Sequence, residues 1–197
     1  FTDGTIEKIK QWVSDGGVLL TLGGASAWAV DAGLLNTKLE RKVPEDGVEK
    51  PAEELKIDGK VIESREQFLT EIKPHGADPD WVPGALLNAQ VDTDHWLSAG
   101  VKPQVVSIYN GNDVLTPIDI NHGRNIAWFA DADTMLASGF LWDDIAKQLP
   151  YKPLLIWQPS GKGMVISFTQ EPTYRAYMDG LNTILMNALF LAPAKAQ

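Results

Sequence analysis

The stretch Val18-Leu19-Leu20-Thr21-Leu22-Gly23-Gly24-Ala25-Ser26-Ala27-Trp28 decides the fold class. Its first five residues form a short apolar run without polar alternation, the pattern of a buried strand. Gly23-Gly24 then turns the chain into a helix expected to run from Ala27 to Leu34. Upstream, Ile6, Ile9, Trp12 and Val13 share one helical face, and Gly16-Gly17 ends that helix. Helix, strand, tight turn and helix in this order indicate an α/β domain with a parallel sheet.

Working outward, residues 36–80 change character. Lys, Glu, Asp and Pro dominate from Lys38 to Lys60, and Arg65 to Ile72 fits a short helix. This is the pattern of a solvated insertion, and a charge run of this kind is most simply a wet surface. From Val82 the pattern turns to β. Strands are expected over 84–91, 105–109, 114–118 and 125–130, with a helical turn over 94–100 and a short helix over 141–148. Lys152 to Gln158 and Met164 to Phe168 flank Pro159-Ser160-Gly161-Lys162-Gly163, a hairpin loop. A last helix is expected from Thr173 to Leu191, with Tyr177, Leu181, Ile184, Leu185, Ala188 and Leu189 facing a sheet.

Composition bounds the function. The 197 residues are enough for one domain with its own core, and 44% apolar against 22% charged residues is a folded composition. Seven Trp suit a core, an interface or a sugar or peptide groove. A formal net charge of −9 disfavours nucleic acid and anionic membrane surfaces as partners. No run of 18 apolar residues is present to span a membrane. Without cysteine there is no disulfide, no thiolate metal site and no Cys nucleophile. A doubly wound domain normally opens on a strand, whereas this chain opens on a helix at Phe1. The expectation is a C-terminal part of a longer polypeptide.

Three places carry chemistry-bearing residue types. At Gly23-Gly24, a tight strand-to-helix turn would present a side chain beside the backbone N–H groups of a helix start. Ser26, one helical turn further, is either a helix cap or a nucleophile. At Phe168-Thr169-Gln170-Glu171-Pro172 a second strand end supplies a carboxylate but no imidazole. In Glu171-Pro172-Thr173-Tyr174-Arg175, Arg175 would bind a ligand carboxylate or pair internally with Glu171.

Metal and phosphate sites find little support. His75, His95 and His122 lie in or near turns without a zinc spacing; His75 is followed three residues on by Asp78. Asp131-Ala132-Asp133 and Asp143-Asp144 lack a calcium-loop spacing. Gly161-Lys162-Gly163 has no helix behind it to aim at a phosphate.

The segment from Ile9 to Trp28 resembles the nucleophile-bearing segment of class I glutamine amidotransferases: helix, Gly-Gly, apolar strand, then Cys in a small-residue elbow. On that register the Cys position is Gly23. The late strand of that family ends in Phe-His-Pro-Glu; here the His position is Thr169 and the Glu is Glu171. The string Gly161-Lys162-Gly163-Met164-Val165-Ile166-Ser167-Phe168, the Glu-Pro-Thr-Tyr-Arg motif and the closing Asn187-Ala188-Leu189-Phe190 follow a more specific pattern. So do Val82-Pro83-Gly84-Ala85-Leu86-Leu87 and Asp92-Thr93-Asp94-His95-Trp96-Leu97-Ser98-Ala99-Gly100. In this order they resemble the domain that follows the catalytic domain in a group of large bacterial zinc carboxypeptidase-like proteins. The resemblance covers nearly the whole chain except 36–80.

It implies a flavodoxin-like three-layer α/β sandwich of the class I amidotransferase type, with a mainly parallel sheet and antiparallel additions. It implies a non-catalytic accessory domain of a periplasmic or secreted protein. The partner would be the upstream peptidase domain, or a second copy, and zinc would be held only upstream. The alternatives are a stand-alone binding module built on Gly23, Gly24, Ser26, Thr169, Glu171, Tyr174 and Arg175, or a Ser-dependent hydrolase.

Overall fold

The computed structural model describes residues 1–40, 64–65 and 81–196. The expected insertion at 36–80, with its short helix, therefore lies almost wholly outside the described residues. Helix α1 (Asp3–Ser14) leads into β1 (Val18–Leu22), and Gly23 opens α2 (Gly24–Asp31). The remaining elements are β2 (Leu39–Glu40), β3 (Val82–Val91), a 3-10 turn at Trp96–Ser98, β4 (Gln104–Gly111), β5 (Val114–Leu115), β6 (Arg124–Phe129) and β7 (Leu136–Ser138). They continue with α3 (Asp143–Gln148), β8 (Pro153–Ser160), β9 (Gly163–Phe168), a 3-10 turn at Tyr174–Ala176 and α4 (Asp179–Lys195).

The main sheet runs β1-β9-β8-β6-β3-β4, with β7 also paired to β3; β2 and β5 form a separate two-stranded ribbon. Strand β9 is buried along its whole length, and successive side chains feed two different cores. Met164, Ile166 and Phe168 pack with Leu181, Ile184, Ala188 and Ala192 of α4 and Ile145 of α3. Val165, with Ile156 of β8, meets Val13 of α1, Ala29 of α2 and Leu34-Leu35 after it. Helices thus cover both faces of a mixed sheet, giving three layers. Each fully buried Leu, Ile or Phe in these layers contributes on the order of 1.5–3 kcal/mol.

The sheet corrects the expectation of mainly parallel strands. Among the described strands only β1 and β9 run parallel, Val18 opposite Met164 through Leu22 opposite Phe168. Every other pairing in the main sheet is antiparallel. The physical reason is chain length: parallel neighbours need a crossover of a dozen or more residues, and β8 reaches β9 through Gly161-Lys162 alone. The continuous apolar runs that suggested parallel strands reflect burial on both faces, which the two helical layers impose on antiparallel strands here.

The last helix also differs from expectation. Arg175 (φ 47°) and Ala176 (φ 56°) adopt left-handed backbone, which breaks the predicted helix over 173–191 into a 3-10 turn and α4. Tyr177 consequently falls outside the helix and is exposed, and Leu189 is also exposed, while Leu181, Ile184 and Ala188 are buried as their spacing predicts.

Candidate functional site

The parallel register places Leu22 opposite Phe168, so the chain leaves both strands side by side, at Gly23 and Thr169. Gly23 donates its N–H to the Phe168 carbonyl (2.9 Å) and turns with φ 54° and ψ −130° before α2 begins. That backbone state favours glycine. A Cβ at Gly23 or Gly24 would meet nothing within 4 Å, so the tip of the turn faces open space. The elbow backbone expected from the sequence is present, and its tip carries no side chain.

Ser26 is not the helix cap its position suggested. It is fully buried (0% exposed), and its Oγ donates to the Phe168 carbonyl at 2.7 Å. It makes no cap bond; the residue preceding α2 is Gly23. Thr21 Oγ1 lies 3.4 Å from Ser26 Oγ and donates to Ser167 Oγ at 2.9 Å. This buried hydroxyl chain ties β1, β9 and α2 together, and it takes Ser26 out of any pocket open to solvent.

Thr169 is buried too. Its Oγ1 donates to the Pro153 carbonyl at 3.0 Å, toward β8. Glu171 turns its carboxylate onto its own chain, where Oε1 accepts the Thr173 N–H (3.1 Å) and the Thr173 hydroxyl. The predicted Glu171–Arg175 ion pair is not among the ion pairs of the described residues. Arg175 instead lies over the ring of Tyr174, its guanidinium carbon 5.5 Å from the ring centre, and both side chains are exposed. Of the seven candidate residues, Gly23, Gly24, Tyr174 and Arg175 are open to solvent or to empty space, Glu171 is half-buried, and Ser26 and Thr169 serve the core.

No elbow residue lines any of three surface concavities of about 480–530 Å³ that the described residues form. One of these, of about 520 Å³, is walled by the end of β3, the loop before β6 and the turn before β8. Arg124 and Asp92 form an ion pair there (Nη2 to Oδ2, 2.8 Å). Sequence reading missed this group, because its members lie far apart in the chain and match no motif. One signal was available: Leu149-Pro150-Tyr151-Lys152 is a turn in which Lys152 donates to the Leu149 carbonyl (3.0 Å) and Tyr151 has φ 62°. With Pro second, this is a type II turn whose third position ordinarily takes Gly or Asn.

Beside this cleft His95 is a core residue. Its ring packs between Trp96 (5.3 Å) and Trp157 (5.2 Å), and Nδ1 accepts the Leu97 N–H at 3.3 Å. Burial, reinforced by the Arg124 charge and opposed by Asp92, lowers its pKa to about 4. With Nδ1 accepting the Leu97 N–H, the proton of the neutral ring sits on Nε2. No group of three or more His, Asp or Glu that could hold a metal occurs among the described residues, and no described helix is long and apolar enough to cross a membrane. Compared with protein-family models, with curated proteins and with solved structures, the chain matches none of them.

Proposed function

We propose that this chain is a non-catalytic accessory domain of a periplasmic or secreted zinc carboxypeptidase-like protein, with a flavodoxin-like fold of the class I amidotransferase type. Its role is to stabilise the peptidase domain, to mediate association or to hold substrate. The observation that carries this reading is the elbow: glycine backbone geometry at Gly23 with open space at its tip, and a buried Thr169 hydroxyl bonded to the Pro153 carbonyl. Acyl transfer at such a turn needs a nucleophile and a base within hydrogen-bond reach. Gly23 has no side chain, and the Thr169 hydroxyl is bonded to a backbone carbonyl. Zinc and the peptidase chemistry belong, on this reading, to a domain upstream of Phe1.

Reading the frame upstream of Phe1 and co-expressing its product with this chain tests the proposal. The expected result is a His-x-x-Glu motif upstream and a complex that co-elutes in size-exclusion chromatography. An unrelated upstream domain, or two products that elute apart, would overturn it. A second reading, a binding module at the elbow, is favoured by the empty space over Gly23-Gly24 and by the exposed Arg175. It predicts ligand-induced thermal shifts that vanish in Arg175→Ala.

A further inference from the structure

We infer that the cleft between Arg124 and Tyr151 is a binding site for a short neutral saccharide. The inference stands on this cleft alone, so it and the accessory-domain reading can fail separately. The volume, about 520 Å³, lies within the range of small-molecule sites. Its lining combines Asp92 and Arg124 with Ile118, Ile120, Trp128 and Tyr151.

The walls are fixed in place. Asn125 clamps the loop before β6 by donating to the Ile118 carbonyl and accepting the Ile118 N–H, both at 3.0 Å. Asp119 Oδ1 accepts the Asn121 N–H (2.8 Å) and its side-chain amide (2.7 Å). Gly123 seats the loop on β8 so closely that a Cβ there would lie 2.3 Å from the Trp157 carbonyl. A ligand therefore meets a cleft already shaped, with little ordering left to oppose binding.

The ligand class follows from charge and from the strained tyrosine. The polar end holds one anion and one cation already paired at 2.8 Å, so it offers hydrogen-bond donors and acceptors with no net charge. The Arg124 side chain is 51% exposed and keeps further N–H groups for a ligand; that of Asp92 is 17% exposed, with Oδ1 accepting the Asp94 N–H. An anionic ligand on the free Arg124 N–H groups would lie beside the Asp92 carboxylate, whose charge opposes it, in a chain of net charge −9. A cationic ligand would have to displace Arg124 from Asp92. Vicinal hydroxyls of a neutral sugar bond to both without separating them.

The aromatic side of the cleft suits the C–H face of a sugar ring. Tyr151 is 62% exposed and holds the turn position that glycine would occupy without strain. A bulky exposed aromatic in left-handed backbone is the kind of outlier that clusters at ligand-binding sites. Trp128, half-buried, supplies a second ring in the same cleft.

Calorimetric titration with cellotriose, chitotriose and maltotriose tests the inference. At least one should bind saturably, with quenching or enhancement of tryptophan fluorescence. Trp128→Ala should weaken that binding at least tenfold. Tyr151→Gly should do the same while the protein melts at or above the wild-type temperature, which separates lost binding from lost folding. The inference fails if none of the three binds up to its solubility limit. It fails equally if both variants bind like the wild type, or if benzoate or benzylamine binds this cleft more tightly than every trisaccharide.

Discussion

The elbow and the cleft are opposite kinds of site. At the elbow the chain makes a tight strand-to-helix turn at Gly23 with no side chain at its tip, and Ser26 and Thr169 beside it are buried in the core. At the cleft no motif announces a site, yet the side chains are arranged as in one: a closed ion pair, a clamped loop and a tyrosine in a glycine position. Backbone form and side-chain arrangement thus vary independently between these two places. A sequence pattern reports the first, and only the packed side chains report the second.

The largest expected effect sharpens this contrast with one substitution at each place. Gly123→Ala would drive a Cβ to 2.3 Å from the Trp157 carbonyl and 3.0 Å from Ile118 Cδ1. A backbone contact of that kind costs about 3 kcal/mol, a fall in Tm of roughly 6–12 °C. Gly23→Ala meets nothing within 4 Å and suffers only its φ of +54°, for about 1–2 kcal/mol. Equal Tm values for the two variants would break the comparison.

Acid provides the next test. The folded protein keeps His95 neutral down to about pH 4, whereas the unfolded chain takes up the proton near 6.5. The stabilisation from the neutral ring is complete above pH 6.5, declines between 6.5 and about 4, and is constant below that. His95→Gln should flatten this part of the Tm-against-pH curve; a variant curve parallel to the wild type would contradict the assignment.

Ser26→Ala removes the hydroxyl bond to Phe168 and is expected to cost about 1–2 kcal/mol, read by denaturant unfolding. A neutral substitution would mean that the buried hydroxyl chain does not hold the elbow. The smallest effect has the opposite sign. Tyr151→Gly relieves roughly 1–2 kcal/mol of left-handed strain and gives back roughly 0.5–1 in chain entropy. A net gain of about 0.5–1 kcal/mol should raise Tm slightly. A loss would mean that the tyrosine is kept for packing.

Much of the fold is legible in the sequence. β1 at Val18–Leu22 and β9 at Gly163–Phe168 can be read from apolar runs bounded by Gly, because local punctuation and burial agree there. Strand direction is not legible, since a run such as Leu154-Leu155-Ile156 records burial on both faces and not the sense of its neighbour. The elbow is legible as backbone because Gly23-Gly24 states its conformational need. The fate of Ser26 is not, because it depends on Phe168 and Ser167, more than 140 residues away. The cleft is the least legible, since Asp92, Arg124 and Tyr151 share no spacing that a one-dimensional reading detects.

On the proposed reading the elbow has the form of a catalytic turn without its reactivity. Incubating the folded wild-type protein with a fluorophosphonate probe, followed by mass spectrometry, tests this most directly. No labelling is expected at Ser26, whose hydroxyl is buried and bonded to the Phe168 carbonyl. Stoichiometric labelling of Ser26 in the folded protein, abolished by prior heat denaturation, would contradict it.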